Sequence, residues 1–158
     1  MGMYTRVRGW VNYRGAEQKE AIQSAIADAV ERAEDREYAE AVAANWRFFD
    51  DAFGSFGGDY AFWGGYMRSW RADVVRAQVE AVAAVLEPDN DWLPDGRPGY
   101  ALRGLFDVEV EEGPRLEWRL YGKSALGESV HENEREIPTW VEPGGWDTSR
   151  DAPIDPAV

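Results

Sequence analysis

The stretch Tyr100 to Tyr121 constrains the fold most. Leu102, Phe106, Val108 and Val110 alternate with Arg103, Asp107, Glu109 and Glu111. Glu112-Gly113-Pro114 turns the chain, and Arg115 to Tyr121 alternates again, with Leu116, Trp118 and Leu120 on one side. A period of two is the signature of a half-buried strand, because successive side chains leave opposite faces. Two such runs around a short turn read as a tight antiparallel hairpin whose outer charges pair across the strands.

The same alternation opens the chain. Thr5, Val7, Val11 and Tyr13 face one way; Arg6, Arg8, Trp10 and Asn12 face the other. Ala16 to Ala33 then changes period: Ile22, Ile26 and Val30 recur every four residues, with Ala25, Ala29 and Ala33 beside them, which predicts an amphipathic helix. Residues 38–50 read two ways. Ala39, Val42, Trp46 and Phe49 make a helical stripe, whereas Asn45 to Phe49 has the aromatic content of a strand. The reading taken is a strand over Ala44 to Phe49 after a helical or looped segment. Tyr60 to Arg68 predicts a strand, with a bulge at Gly64-Gly65. Ser69 suits an N-cap. The helix after it runs to about Leu86 on Val75, Val79, Val82 and Leu86, and Glu87-Pro88 ends it.

The resulting order, β-α-β-β-α-β-β, predicts an α+β sandwich of ferredoxin-like character. Its sheet is antiparallel, with two helices on one face. Residues 1–122 form the single domain of this reading, and 123–158 an extended, partly ordered C-terminal arm. The arm carries Trp140 and Trp146, which dock either on their own chain or on a neighbouring subunit.

Composition narrows the function classes. The 158 residues carry a net charge of -13, which argues against direct nucleic-acid binding, since that rests on Lys and Arg neutralising phosphate. Fifteen Arg stand against only Lys19 and Lys123, as GC-rich codon usage favours. No cysteine is present, so disulfides and thiolate metal sites are excluded; that usage fits a cytoplasmic protein. No apolar run approaches a membrane span, and MGMYTRVRGW lacks the apolar stretch of a secretory signal.

Catalytic and metal readings find no support in the pattern. His131 is the only histidine and lies in a polar stretch; GESVHENE is not HExxH, and no serine stands in GxSxG. Phosphate-loop glycine patterns are absent. The expectation is therefore a protein that is not an enzyme and carries no cofactor or metal.

Two surfaces attract attention instead. The stretch GGDYAFWGGYMRSWR supplies a candidate anionic-ligand site at Trp63, Gly64, Gly65, Tyr66, Arg68 and Arg71. There the glycines let a ligand approach the backbone, aromatics stack on it, and forked guanidinium groups hold its charge. The same residues also read as plain sheet packing. The outward face of the first and last strands supplies a candidate interface at Arg6, Arg8, Trp10, Arg103 and Arg119, joined by Trp140 and Trp146 of the arm. Trp, Tyr and Arg are the residue types that dominate binding energy at protein interfaces.

MYTRVRGWV, then YAFWGGYMRSWRADVVRAQVEAVA, then RGLFDVEVEEG and LEWRLYG, resemble a group of small uncharacterised proteins of bacteriophages and prophages of GC-rich hosts. The resemblance spans residues 3–122 and carries no functional motif. It implies an accessory protein that binds a host factor or sequesters a small molecule; the reading taken here is a host-protein binder that is a homo-oligomer. The alternatives are a binder or sponge for a small anionic nucleotide, and an acidic mimic of DNA.

Overall fold

A computed structural model of the chain describes residues 3–51, 58–86, 103–113 and 115–120, and the backbone of 134–137. Strand β1 (Tyr4–Tyr13) is followed by α1 (Gly15–Arg32) and the short α2 (Arg36–Ala43). Strands β2 (Arg47–Phe49) and β3 (Asp59–Arg68) come next, then a 3-10 turn (Ser69–Arg71) leading into α3 (Ala72–Val85). Strands β4 (Gly104–Val110), β5 (Arg115–Leu120) and β6 (Glu134–Ile137) complete the order. The strands lie side by side as β2-β3-β1-β4-β5-β6, and every neighbouring pair is antiparallel. The fold is thus α+β, an open antiparallel sheet with its helices on one face.

That one-sidedness follows from the alternation. Val7, Val11 and Tyr13 of β1 lie opposite Gly65, Ala61 and Asp59 of β3, and Val7 also lies opposite Val108 of β4. Phe106 and Val108 meet Trp118 and Leu116 across the hairpin. All these rows point the same way. They close over Ile22 and Ile26 of α1, Val42 of α2, and Val75, Val79 and Val82 of α3. Each such fully buried aliphatic side chain stabilises by about 1.5–3 kcal/mol over an exposed one. Gln78 of α3 is buried among them without a penalty. Its amide donates to the Ala39 carbonyl at 2.9 Å, and its carbonyl accepts from Trp46 Nε1 at 3.1 Å. Those two bonds fix α3 to α2 and to the chain leading into β2.

Several expectations change. Three helices form where two were expected, because Asp35 caps a separate turn: its carboxylate accepts from the Tyr38 amide at 3.0 Å. The ambiguous segment 38–50 divides into the end of α2 and the three residues of β2. Ser69 caps no helix; its hydroxyl pairs with Thr5 Oγ1 at 2.8 Å, and α3 begins after a 3-10 turn. Nor is there a bulge at Gly64-Gly65, since β1 and β3 pair residue for residue from Tyr4–Arg68 to Tyr13–Asp59. The four residues of β6 lie beside β5 within the stretch read as an extended arm. Among the described residues, no helix is long and apolar enough to cross a membrane.

Candidate interaction face

Strand parity assigns Tyr4, Arg6, Arg8 and Trp10 of β1 to the face opposite the helices. Tyr60, Phe62, Gly64, Tyr66 and Arg68 of β3 and Arg47 and Phe49 of β2 share that face. The aromatics gather in two groups. Tyr4 and Tyr66 stack with centroids 5.0 Å apart, and guanidinium groups bracket the pair: Arg68 lies 4.5 Å from the Tyr4 ring, and Arg6 lies 6.0 Å from the Tyr66 ring. Toward the other end, Tyr60 stacks on Phe62 at 6.1 Å, while Trp10 and Phe49 meet them edge-on. Tyr66 remains 60% exposed in this arrangement.

Between the groups lies a shallow hollow of about 530 Å³, walled by Arg8, Trp10, Arg47, Phe62 and Asp107 with Gly64 among them. A methyl group placed on Gly64 would meet nothing closer than Arg8 Cβ at 4.0 Å. Packing therefore does not require glycine there. Gly65 is the opposite case: the same methyl would sit 2.6 Å from the Trp63 ring.

Charge is sorted between the two sides of the sheet. The face away from the helices carries Arg6, Arg8, Arg47, Arg68, Arg115 and Arg119 against Asp107, Glu109 and Glu117. The helical layer, residues 15–43 and 69–85, carries ten acids against five bases. A cationic surface thus stands on a chain of net charge -13. Part of it is neutralised locally. Arg6 pairs with Glu109 at 3.7 Å and Arg8 with Asp107 at 3.4 Å, both Arg side chains more than half exposed. Arg115 holds Asp107 with two hydrogen bonds, at 2.9 and 3.1 Å. The pairs made by the exposed Arg6 and Arg8 contribute only about 0–1 kcal/mol each. They leave the Arg6 and Arg8 guanidinium groups available to a competing carboxylate.

The sites expected from the sequence divide accordingly. Arg6, Arg8 and Trp10 do share the face, and the exposed Gly64, Tyr66 and Arg68 share it with them. Trp63 does not: it is buried on the helix side, its Nε1 donating to the Val42 carbonyl at 2.7 Å. Gly65 lies beneath its ring. Arg71 is also on the helix side, its guanidinium 4.2 Å from the Tyr38 ring and 4.6 Å from that of Trp70. Burial raises the Tyr38 hydroxyl above its ordinary range, and Arg71 opposes that shift. The six residues grouped as one ligand site therefore lie on two sides of the sheet and do not converge.

Two interface residues are corrected as well. Arg103 is 2% exposed, with Nη2 donating to the Asn12 carbonyl at 3.2 Å and to Gln18 Oε1 of α1 at 3.3 Å. It turns toward the helices because β4 begins only at Gly104, so the alternation read through Arg103 does not hold there. Arg119 keeps its parity but is buried beside an equally buried Glu117, to which its Nε donates. The face is thus closed over β5 and open over β1, β3 and β2. Trp140, Trp146 and His131 lie outside the described residues.

Arg47, Tyr4, Tyr60, Phe62 and Phe49 join the face without having been singled out. Strand parity puts Tyr60 and Phe62 in one row of β3, but only the β1–β3 register shows which row of β1 they share. Among the described residues, no group of three or more metal-ligating side chains occurs. No protein-family model, curated protein or solved structure matches the chain.

Proposed function

We propose that the chain is a non-enzymatic interaction protein that captures a partner protein on the open face of β1, β3 and β2. One observation carries this reading. The side of the sheet that none of the described helices covers holds Trp10, Tyr66 and an excess of arginine, in a molecule that is otherwise strongly acidic. Trp, Tyr and Arg dominate binding energy at protein interfaces, and the rings of Trp and Tyr supply large contact area at low entropic cost. The phage resemblance makes a host protein the partner to seek. The order β2-β3-β1-β4 also supports a ferredoxin-like core, with the first and third strands central and β5 and β6 added at one edge.

The experiment is native mass spectrometry of complexes isolated from the producing host, comparing wild type with an Arg8→Glu, Trp10→Ala double variant. The expected result is a stoichiometric complex, either with a host polypeptide or as a homo-oligomer that presents the face, which the double variant loses. If the same complex forms in both proteins, the face is not the docking surface.

The hollow at Gly64 favours a second reading, a small planar anion seated between Trp10 and Phe62 with Arg8 and Arg47 at its rim. Its volume falls in the range of small-molecule sites. A ligand that binds only the native state must raise the melting temperature. A nucleotide panel that produces no shift at millimolar concentration would remove this reading.

A further inference from the structure

Among the described residues, strand β3 has a bare edge. It runs for ten residues, but β2 has three and covers only Tyr60 to Phe62. Two contacts tell which backbone groups face that edge. The Gly64 carbonyl accepts from Asn45 Nδ2, at the approach to β2, at 3.4 Å, whereas the Ser69 amide turns the other way and donates to Met3 at 3.0 Å. In an extended strand, groups two residues apart point alike. The amide and carbonyl of Tyr66 and the amide of Arg68 therefore point away from β1, along the line that β2 would follow if it continued. Among the described residues they have no partner. Native sheets cover such edges or charge them, because the free groups template the pairing of another strand.

We propose that this edge, beside Gly64 to Arg68, receives an extended acidic segment of a partner protein as an added strand. The proposal rests on the open face being a docking surface and names what docks there. Backbone pairing with Tyr66 and Arg68 would supply affinity, and alternate side chains would supply specificity. One row of the added strand would lie on the open face, next to Tyr66, Arg68 and Arg47. Their charge selects carboxylates. The other row would lie on the side of Trp63 and Met67, which selects apolar residues.

The test uses the full chain and an acetylated octapeptide of four Glu-Val repeats, with a Lys-Val octapeptide as its charge-reversed counterpart. Residue-resolved hydrogen exchange on dilute free protein should show fast amides at Tyr66 and Arg68, and slow ones at Gly65 and Met67, which face β1. The Glu-Val peptide should slow the first pair, and the Lys-Val peptide should not. Tyr66→Ala removes the ring and keeps the donor. Tyr66→Pro removes both, at a position where proline spares the β1 ladder. The proline variant should bind the Glu-Val peptide about tenfold more weakly than the alanine variant, since it leaves a peptide carbonyl unpaired.

Slow Tyr66 and Arg68 amides in dilute free protein would overturn the proposal. So would protection that grows with protein concentration alone, which would mean that a second copy occupies the edge. Equal affinity of the proline and alanine variants, or no binding of the Glu-Val peptide, would overturn it too. Peptide binding lost in the Arg8→Glu, Trp10→Ala variant but kept in Tyr66→Pro would retain the face and remove the edge. The reverse pattern would retain the edge and remove the rest of the face.

Discussion

Gly64 and Gly65 are neighbours in one strand and answer to different demands. Gly65 looks toward the helices, where the Trp63 ring lies so close that a single added carbon would sit 2.6 Å from it. Gly64 looks away, into a hollow where the same carbon finds open space. The pair condenses the difference between the two sides of the sheet. On the helix side the core residues are enclosed, and the buried Trp63 and Gln78 have their polar groups matched: Trp63 to Val42, Gln78 to Ala39 and Trp46. On the other side, over β1, β3 and β2, aromatic rings and arginines are held in place but not enclosed. A residue free of packing constraint beside an exposed tyrosine and exposed guanidinium groups is where binding can be placed without cost to the fold.

Substitutions should separate the two regimes. The largest effect is expected for Trp63→Ala, which empties the centre of the helix side and removes the indole's bond to the Val42 carbonyl, leaving that carbonyl to the Asn45 amide. Loss of a buried aromatic costs about 3–5 kcal/mol, read as a drop in urea midpoint at unchanged slope. A loss below about 1 kcal/mol, the scale of an exposed surface substitution, would mean that the indole is not a core group. Next comes the glycine pair. Gly65→Ala forces the ring to shift and should cost about 1–3 kcal/mol, whereas Gly64→Ala should stay within about 0.5 kcal/mol of wild type. Equal losses at both positions would erase the distinction between the two sides.

How far the sequence reveals this depends on which physical rule governs each segment. Alternation in Tyr4 to Tyr13 and Arg115 to Leu120 assigns the inward rows correctly, because burial of one face forces a period of two. The helical stripe of α3 likewise marks Val75, Val79, Val82 and Leu86, all of which are buried. Residues 38–50 resist, because a single capping carboxylate at Asp35 decides where the helix begins and no periodicity reports it. The ligand grouping fails for a different reason. Trp63 to Arg71 are close in sequence, but a strand sends neighbours to opposite faces, so sequence proximity argues against a shared pocket. Arg103 fails because alternation was carried beyond the end of the strand. The open face was legible only in part, since Tyr66 lies opposite Arg6 by virtue of register, and register is a tertiary fact.

The smallest effect expected lies where the two regimes meet, at the end of β2. Tyr13 closes the buried row of β1, and its hydroxyl donates to Asp50 Oδ1 at 2.7 Å. Lys19 of α1 reaches the same carboxylate at 3.0 Å. Burial first, then the bond to Asp50, pushes the Tyr13 hydroxyl above its usual range, so it stays a proton donor through ordinary pH. The bonds from Tyr13 and Lys19 lower the Asp50 carboxyl below its usual value. A carboxyl whose folded pKa lies below its unfolded value contributes stability that is complete above the unfolded value, about 3.9, and is lost as pH falls through the folded one. The stability difference between wild type and Asp50→Asn should therefore be flat above about pH 5 and shrink toward acid. Asp50 is exposed, so solvent screens the effect and the change should be modest beside those of Trp63 and Gly65. Urea titrations of both proteins at a series of pH values measure it. A difference that held constant to pH 2 would mean that Asp50 acts through its shape, and that the sheet and α1 are joined there by hydrogen bonding independent of charge.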